Sequence, residues 1–232
     1  MTSVDLDQLK KAAALQAIEF VRAGMVVGLG TGSTSKHMIM ALGDKVRAGM
    51  KLRGVPTSQE TADLARQAGI PLIDAENRWE IDVAIDGADQ VDPHFNLIKG
   101  GGGALLKEKI VAASSKQFIV VVDHTKQVPV LGGSFPLPIE VIPFGWGSTA
   151  REIEALTGSR VVLRERHGVP FKTESGNVIV DVHIDRISQP GELEIALNRI
   201  PGVVETGIFV GRTNILVVGT PQGVHILHAS QA

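Results

Sequence analysis

The sequence has no cysteine and no tyrosine, and aromatic residues make up only 4% of it. The absence of cysteine excludes disulfides, thiolate metal sites and a thiol nucleophile, and it suits a reducing compartment. Lysine plus arginine (23) is balanced by aspartate plus glutamate (25). Because neither a basic surface nor a set of base-stacking aromatic residues is present, the composition disfavours nucleic acid as a ligand.

Long apolar runs are also missing. No segment approaches the roughly 20 residues that span a bilayer, and the opening MTSVDLDQLKK lacks the apolar core of a signal peptide. We therefore expect no membrane partner and, by default, a cytoplasmic location. The 232 residues, 44% of them hydrophobic, carry a net charge of −2, which is typical of a globular chain with one large or two small domains.

The first half of the chain alternates helices and short strands. Helices are predicted at 5–22, 34–47, 59–68 and from the glycine-rich stretch to about 114, and strands at 25–29, 51–56, 70–74, 81–86 and 118–122. Short apolar strands separated by helices indicate a parallel sheet that is covered on both faces. The fold class is therefore α/β, with a Rossmann-like domain.

Beyond residue 131 the order of elements changes. LGGSFPLP is a Gly/Pro-rich connection of the kind that separates domains. It is followed by a predicted βαββαβ order, which is ferredoxin-like. These elements occupy 139–143, 148–156, 160–165, 177–184, 191–200 and 203–210. NILVVG and GVHILH then predict a C-terminal hairpin that returns to the first sheet.

We accordingly predict two domains. Residues 1–130 and 209–232 form the Rossmann-like catalytic domain, and residues 131–208 form a smaller ferredoxin-like α+β domain inserted before the C-terminal hairpin. In an open parallel sheet, ligands bind beyond the carboxyl ends of the strands. Four polar loops follow the predicted strands there, namely GTGSTS, TSQET, DGAD and DHTK.

The loop GLGTGST, residues 28–34, predicts a phosphate site. Its glycines free backbone N–H groups, its hydroxyls can donate, and the positive N-terminal end of the next helix attracts an anion. Ser33 stands where the dinucleotide fingerprint needs glycine, no acidic residue ends the second strand, and the Gly-Lys-Ser/Thr of ATP loops is missing. NAD and ATP are thus disfavoured, and a tight turn that binds nothing is the alternative.

The stretch DGADQVDPHFN puts Asp86 and Asp89 three residues apart at a strand end. Aspartate and glycine are standard turn formers, so a plain turn is one interpretation. A metal site would add Asp92 and His94, but the spacing misses the Ca²⁺-loop pattern. We expect no metal.

LIKGGGGALLKEKI carries four consecutive glycines, Gly100–Gly103, between Lys99 and a helix with Glu108. Glycine loses more backbone entropy on folding than any other residue, so four in a row weaken the fold unless something approaches the backbone closely. The simple alternative for Glu108 is a solvated position between two lysines. Its neighbours three and four residues away are apolar, however, so desolvation is expected to raise the pKa of this carboxylate towards that of a general base.

GLGTGST, VPTSQET, AIDGAD, LIKGGGGALLKEKI and VVVDHTKQV, in this order, resemble the A-type ribose-5-phosphate isomerases. LPIEVIPFG and IPGVVETGIF extend the resemblance over nearly the whole chain. The resemblance implies one cofactor-free site that interconverts ribose 5-phosphate and ribulose 5-phosphate through a cis-enediolate. Gln90 departs from the DGADE that the family often has, just outside the aspartate pair.

The resemblance also implies roles for residues. Glu108 would be the general base that moves a proton between C2 and C1, and Lys99 would stabilise the oxyanion that develops. Asp86 and Asp89 would bind sugar hydroxyls and assist ring opening.

The phosphate would lie on the loop from Thr31 to Thr34, with Lys10 and Lys126 as candidate cationic clamps. Lys126 matches the family's site more firmly than Lys10 does. The expected substrate-binding residues are Lys10, Thr31, Gly32, Ser33, Thr34, Asp86, Gly87, Ala88, Asp89, Lys99, Gly100, Gly101, Gly102 and Lys126.

Two other functions stay open at this point. A non-catalytic sugar-phosphate sensor would use the same phosphate loop, but no basic helix-turn-helix segment is left over for its DNA-binding module. An enzyme of related fold, such as an amino-sugar phosphate isomerase or a coenzyme A transferase, is the second, and the transferase would need a carboxylate nucleophile. The resemblance further implies a homodimer or homotetramer, with the small domain as a contact surface.

Overall fold

A computed structural model describes residues 5–74, 76 and 78–229 of the chain. Its α-helices are α1 Leu6–Ala17, α2 Ser33–Arg47, α3 Gln59–Gln67, α4 Leu105–Ala113, α5 Trp146–Thr157 and α6 Pro190–Leu197. Its strands are β1 Val26–Leu29, β2 Arg53–Pro56, β3 Val83–Asp86, β4 Gln90–Val91, β5 Leu97–Ile98, β6 Phe118–Asp123, β7 Leu137–Val141, β8 Arg160–Leu163, β9 Glu165–Arg166, β10 Val169–Pro170, β11 Val178–His183, β12 Val203–Thr206, β13 Ile208–Phe209, β14 Ile215–Thr220 and β15 Gly223–His228. Short 3₁₀ turns occupy Ile18–Phe20 and His124–Lys126.

The main sheet has the strand order β15-β14-β6-β3-β1-β2. All neighbours are parallel except β15, which pairs antiparallel with β14, so the prediction that the C-terminal hairpin completes this sheet is confirmed. Val27, Leu29, Ile85 and Ile119 lie in its buried core. The chain passes from β1 to β2 on one side and later to β3 on the other, so the loops after β1 and β3 flank a topological switch point, where open α/β sheets bind ligands.

A second, antiparallel sheet has the order β12-β7-β11-β8. With α5 after β7 and α6 after β11, it has the βαββαβ order, and the predicted ferredoxin-like part is confirmed. Ile139, Ile153 and Val180 belong to its own buried core. A small three-stranded sheet, β13-β5-β4, pairs two strands that precede the glycine stretch with β13, which follows the ferredoxin-like part.

The structure differs from the predicted elements at several places. The strand predicted at 70–74 is wrong: only Leu72 forms an isolated bridge, to Gly54, because Pro71 has no N–H for a ladder. The helix predicted to reach residue 22 ends at Ala17. The strand predicted at 203–210 is divided at Gly207 into β12 and β13, which pair with different sheets.

The chain divides into two compact units. One contains the residues up to Ala88, Lys107–Lys126 and those from Arg212, and the other contains Asp89–Leu106 and Gln127–Gly211. The domain limits from the sequence, 1–130 with 209–232 and 131–208, stay a prediction. Among the described helices, none is both long and apolar enough to span a bilayer.

Gly28 provides a test of how α4 packs on the parallel sheet. A Cβ at Gly28 would lie 2.5 Å from Val111 Cγ1 and 2.7 Å from Ala84 Cβ. We expect Gly28→Ala to lower the free energy of unfolding by about 1–3 kcal/mol, the usual range for overpacking, measured by urea denaturation.

The matched control is Gly147→Ala in α5. This glycine is exposed, and apart from its chain neighbours and its own helix backbone, no atom of the described residues lies within 4 Å of a Cβ there. We expect that variant to be neutral or more stable by up to about 1 kcal/mol. Equal stabilities of the two variants would contradict the packing described here.

Candidate active site

Asp86, the last residue of β3, holds the loop that follows β1. Its Oδ1 atom accepts hydrogen bonds from the N–H groups of Thr31 (3.1 Å) and Gly87 (2.8 Å) and from the Ser35 hydroxyl (3.4 Å). A Cβ at Gly30 would lie only 2.1 Å from the same oxygen, so glycine is needed for this approach. The carboxylate thereby links the ends of two neighbouring strands.

The hydroxyl of Thr31 is held inside the protein. Its Oγ1 atom lies 2.7 Å from the hydroxyl of Thr57, 2.9 Å from that of Ser58 and 3.1 Å from that of Thr61. These three residues belong to the second predicted loop and the start of α3. Both the N–H and the hydroxyl of Thr31 therefore bind protein groups, and they shape the loop from within.

The N-terminal end of α2 has two features that are typical of anion sites. Gly32 has a φ of 106°, a left-handed conformation that favours glycine, and the helix begins at Ser33 with no described side chain capping its first turn. Uncapped amides at a helix start carry partial positive charge and bind phosphate readily. Of the predicted stretch from Thr31 to Thr34, the last three residues lie at this helix start, and phosphate binding there stays a prediction.

Lys10 brings a positive charge to this helix end. Its Nζ atom lies 3.4 Å from the Ser33 hydroxyl and 3.9 Å from Oδ2 of Asp123, which is only 1% exposed. The other oxygen of Asp123 accepts a hydrogen bond from the N–H of Thr125 (2.9 Å), which shapes the turn that leads to the half-buried Lys126. Lys10, one of the two predicted cationic clamps, therefore contacts the loop.

Glu108 lies in the first turn of α4 and is 5% exposed. One turn later, Val111 packs directly on β1, because Gly28 has no side chain there. The interpretation of Glu108 as a solvated surface position is therefore wrong. The burial that its apolar neighbours predicted is confirmed.

Lys99, which directly follows β5, is also buried, with 3% exposure. Its N–H donates to the carbonyl of Gly207 (2.9 Å), and its Nζ atom lies 5.6 Å from the centroid of the Phe209 ring. A cation at this distance is attracted to the ring face. The ammonium group is thus placed by β13, which lies beside β5.

Asp89 is joined to the glycine stretch. Its Oδ2 atom accepts a hydrogen bond from the N–H of Gly101 (2.8 Å), and a Cβ at Gly101 would lie 2.8 Å from its Oδ1. Gly100 and Gly103 have φ values of 99° and 93°, which other residues rarely adopt. Gly102 is exposed, and nothing in the described residues lies within 4 Å of a Cβ there. Three of the four glycines are explained by the fold, and the fourth is not.

Neighbouring polar residues have structural roles. Gln90, where the family often has glutamate, exchanges two 2.8 Å hydrogen bonds with the backbone of Gly132. Asp92 accepts from the N–H groups of His94 and Asn96, each at 2.9 Å, and so closes its own turn. Among the residues that the structure describes, no group of three His, Asp or Glu is placed to hold a metal ion.

Sequence reasoning missed the residues that hold the phosphate loop in place. These are Ser35, Thr57, Ser58, Thr61 and Asp123. All five belong to polar loops that were predicted to follow the strands: Ser35 to GTGSTS, Thr57, Ser58 and Thr61 to TSQET, and Asp123 to DHTK. Loops that follow parallel strands meet at one edge of the sheet, so their polar residues could have been predicted to contact one another.

Comparison with known proteins gives a consistent result. A sequence model for ribose 5-phosphate isomerase A (phosphoriboisomerase A) matches residues 53–223, more than half of the chain. Ribose-5-phosphate isomerase A of Parvibaculum lavamentivorans is 49% identical, covering 97% of this chain and 100% of that protein. The protein of the same name from Thermococcus kodakarensis is 46% identical, with 95% and 98% covered.

Solved structures of ribose 5-phosphate isomerases are also similar to this chain. A D-ribose-5-phosphate isomerase in complex with phospho-erythronic acid superposes with a TM-score of 0.93 at 43% identity, covering 97% of this chain and 100% of the other. Ribose 5-phosphate isomerase from Plasmodium falciparum gives 0.94 at 36% identity, with the same coverage. The fold and these likenesses define an isomerase of the α/β class. Within that class, the chain belongs to the ribose 5-phosphate isomerase A family.

The position of Lys10 leads to a test with inorganic phosphate as the probe. We expect Lys10→Met to weaken phosphate binding by about tenfold, because one charge-assisted contact to the anion is lost. Isothermal titration at constant ionic strength measures the dissociation constant.

Lys11→Met is the matched control, since Lys11 is the exposed neighbour on the same helix. Equal weakening in the two variants would mean that only net charge matters and would contradict the contact of Lys10 with the loop.

Proposed function

We propose that this protein interconverts D-ribose 5-phosphate and D-ribulose 5-phosphate as an aldose-ketose isomerase of the non-oxidative pentose phosphate pathway. The observation that carries the proposal is the burial of Glu108 at the start of α4, directly after the glycine stretch that Lys99 precedes. Family membership and the related structure with phospho-erythronic acid support the substrate class.

The substrate's phosphate is proposed to lie at the start of α2. Amides of Gly32, Ser33 and Thr34 would donate to its oxygens, and Lys10 and Lys126 would balance its negative charge. Thr31 would act by shaping the loop, since its own donors bind protein groups.

The reacting end of the sugar is proposed to lie against backbone that offers little steric bulk. This backbone comprises Gly87 and Ala88 after β3 and Gly100, Gly101 and Gly102 after β5. The exposed space at Gly102 supports this, because the fold itself gives no reason for glycine there. Asp86 and Asp89 would bind sugar hydroxyls and assist the opening of the ring, which precedes proton abstraction because only the open chain has a carbonyl.

The chemical step is a proton transfer. The carboxylate of Glu108 would remove the proton from C2 of open-chain ribose 5-phosphate, and the electron pair would move into a C1–C2 double bond as the carbonyl oxygen takes up negative charge. Lys99 would stabilise that cis-enediolate. Return of a proton to C1 and transfer of a hydroxyl proton from O2 to O1 complete the ketose. No cofactor or metal takes part in this scheme.

The proposal is tested with chelator-treated protein and ribose 5-phosphate. We expect ribulose 5-phosphate to form at an undiminished rate after metal removal. Absence of product, or turnover only on metal addition, would refute it. A coenzyme A transferase would instead form a thioester on a carboxylate when given an acyl-coenzyme A.

Glu108→Gln tests the general base. The amide cannot take up the proton, so we expect kcat to fall at least about a hundredfold while KM changes little. Glu152→Gln, at an exposed position of α5, is the matched control and should behave as wild type. Turnover near the wild-type rate in Glu108→Gln would remove Glu108 from the mechanism.

Lys99→Met tests the oxyanion partner. Because the charge that Lys99 meets develops fully only at the transition state, kcat should fall by about tenfold or more, with a smaller rise in KM. Lys126→Met is the contrasting variant and should mainly raise KM, since a phosphate contact is made equally in the ground state. A higher KM with unchanged kcat in Lys99→Met would contradict this role.

The homodimer or homotetramer and the cytoplasmic location stay predictions. Phe144, 90% exposed in the small ferredoxin-like part, fits the expectation that this part supplies a contact surface.

A further inference from the structure

The glycine stretch is held from one side by two arginines that no motif singled out. Nη1 of Arg164 donates to the carbonyls of Gly100 (2.8 Å) and Gly101 (3.1 Å), and Nη2 of Arg166 donates to the carbonyl of Gly102 (3.0 Å). Three successive carbonyls are thus bound by two guanidinium groups. Hydrogen bonds from a charged donor are the stronger kind, so this is a firm attachment.

Arg164 is itself anchored. Its Nε atom donates to Oδ2 of Asp181 at 2.8 Å, and its Nη2 atom forms an ion pair with Oδ1 of the same carboxylate. The two side chains are 12% and 17% exposed, which limits screening by solvent. The N–H of Arg164 also donates to the carbonyl of Ile179 in β11 (2.8 Å), so the guanidinium is fixed to the ferredoxin-like sheet.

Arg166 is placed by the hairpin of β9 and β10. Its guanidinium carbon lies 4.2 Å from the centroid of the Phe171 ring. That ring in turn fills the space beside Gly103, where a Cβ would lie 2.4 Å from two ring atoms. The hairpin therefore contacts the glycine stretch with both a charged group and an aromatic ring.

This attachment sets the direction of the amides. In a trans peptide the N–H points opposite to the carbonyl. With the carbonyls of Gly100 and Gly101 turned towards Arg164, the N–H groups of Gly101 and Gly102 face away from it, and that of Gly101 reaches Asp89. Gly102 itself is exposed, and a Cβ there would meet no non-neighbouring atom within 4 Å among the described residues.

We propose that Arg164, anchored by Asp181, and Arg166 are positioning residues for the isomerase reaction. They fix the backbone that joins Lys99 to the helix of Glu108, and they turn the Gly102 amide towards the reacting end of the sugar. The inference deepens the proposed function and rests on it for the kinetic effect, whereas its structural part stands independently.

The test removes the buried ion pair as a whole. Arg164→Met combined with Asp181→Leu leaves no lone buried charge, so stability should stay close to that of the wild type. We expect faster hydrogen exchange, by about tenfold or more, in the peptide that covers Gly100–Gly103, because its carbonyl contacts are lost. We also expect kcat to fall by about tenfold with a smaller change in KM.

Arg166→Ala is the second variant, because its exposed side chain can be removed without loss of the fold. It should accelerate exchange in the same peptide, and kcat should fall less than in the double variant. Arg160→Ala, exposed at the start of β8, is the control and should change neither quantity.

Unchanged exchange in Arg166→Ala or in a folded double variant would overturn the attachment. Faster exchange with wild-type kcat would overturn the positioning role and leave only a structural one. If the wild type itself does not isomerise ribose 5-phosphate, the proposed function fails, and the exchange measurement still decides whether the arginines hold the loop.

Discussion

One carboxylate oxygen, Oδ1 of Asp86, joins the ends of two neighbouring parallel strands, and the arrangement of the loop between β1 and α2 depends on it. By accepting from the amides of Thr31 and Gly87, it keeps the loop after β1 close to the loop after β3. The close approach requires glycine at position 30. Helix α2 begins immediately afterwards, at Ser33. We propose that the substrate's phosphate binds at this helix start, which has neither a dinucleotide nor an ATP motif.

The glycine stretch, Gly100–Gly103, is a flexible sequence that the fold holds in one conformation. Its four residues carry an entropic cost, which the fold offsets through contacts to every part of the loop: Asp89 binds one amide, and two arginines bind three carbonyls. A flexible sequence thereby becomes a fixed backbone between Lys99 and the helix of Glu108. In the proposed function, separate loops hold the phosphate and the reacting carbon, so that a small molecule is bound firmly at one end and changed at the other.

Much of this could be predicted from local patterns. Helical and β-branched periodicity located the parallel sheet, the βαββαβ part and the final hairpin, and the apolar neighbours of Glu108 predicted its burial. Where long-range packing decides, prediction failed. The two-residue strands β4, β5 and β13 have no periodicity to detect, and the segment at 70–74 is apolar but contains a proline. Arg164 contacts a backbone 64 residues earlier in the chain, and nothing near it in the sequence indicates that.

The central claim is that Glu108 moves a proton between C2 and C1, and isotope exchange tests it most directly. The metal-stripped protein is incubated with ribose 5-phosphate in deuterated water, and the sugars are analysed by NMR as equilibrium is approached. The account predicts deuterium at C1 of ribulose 5-phosphate and, through the reverse reaction, at C2 of ribose 5-phosphate, with both appearing at least about a hundredfold more slowly for Glu108→Gln. After many turnovers, ribulose 5-phosphate without deuterium at C1 and ribose 5-phosphate without deuterium at C2 would indicate direct hydride transfer. That result would contradict the enediolate mechanism.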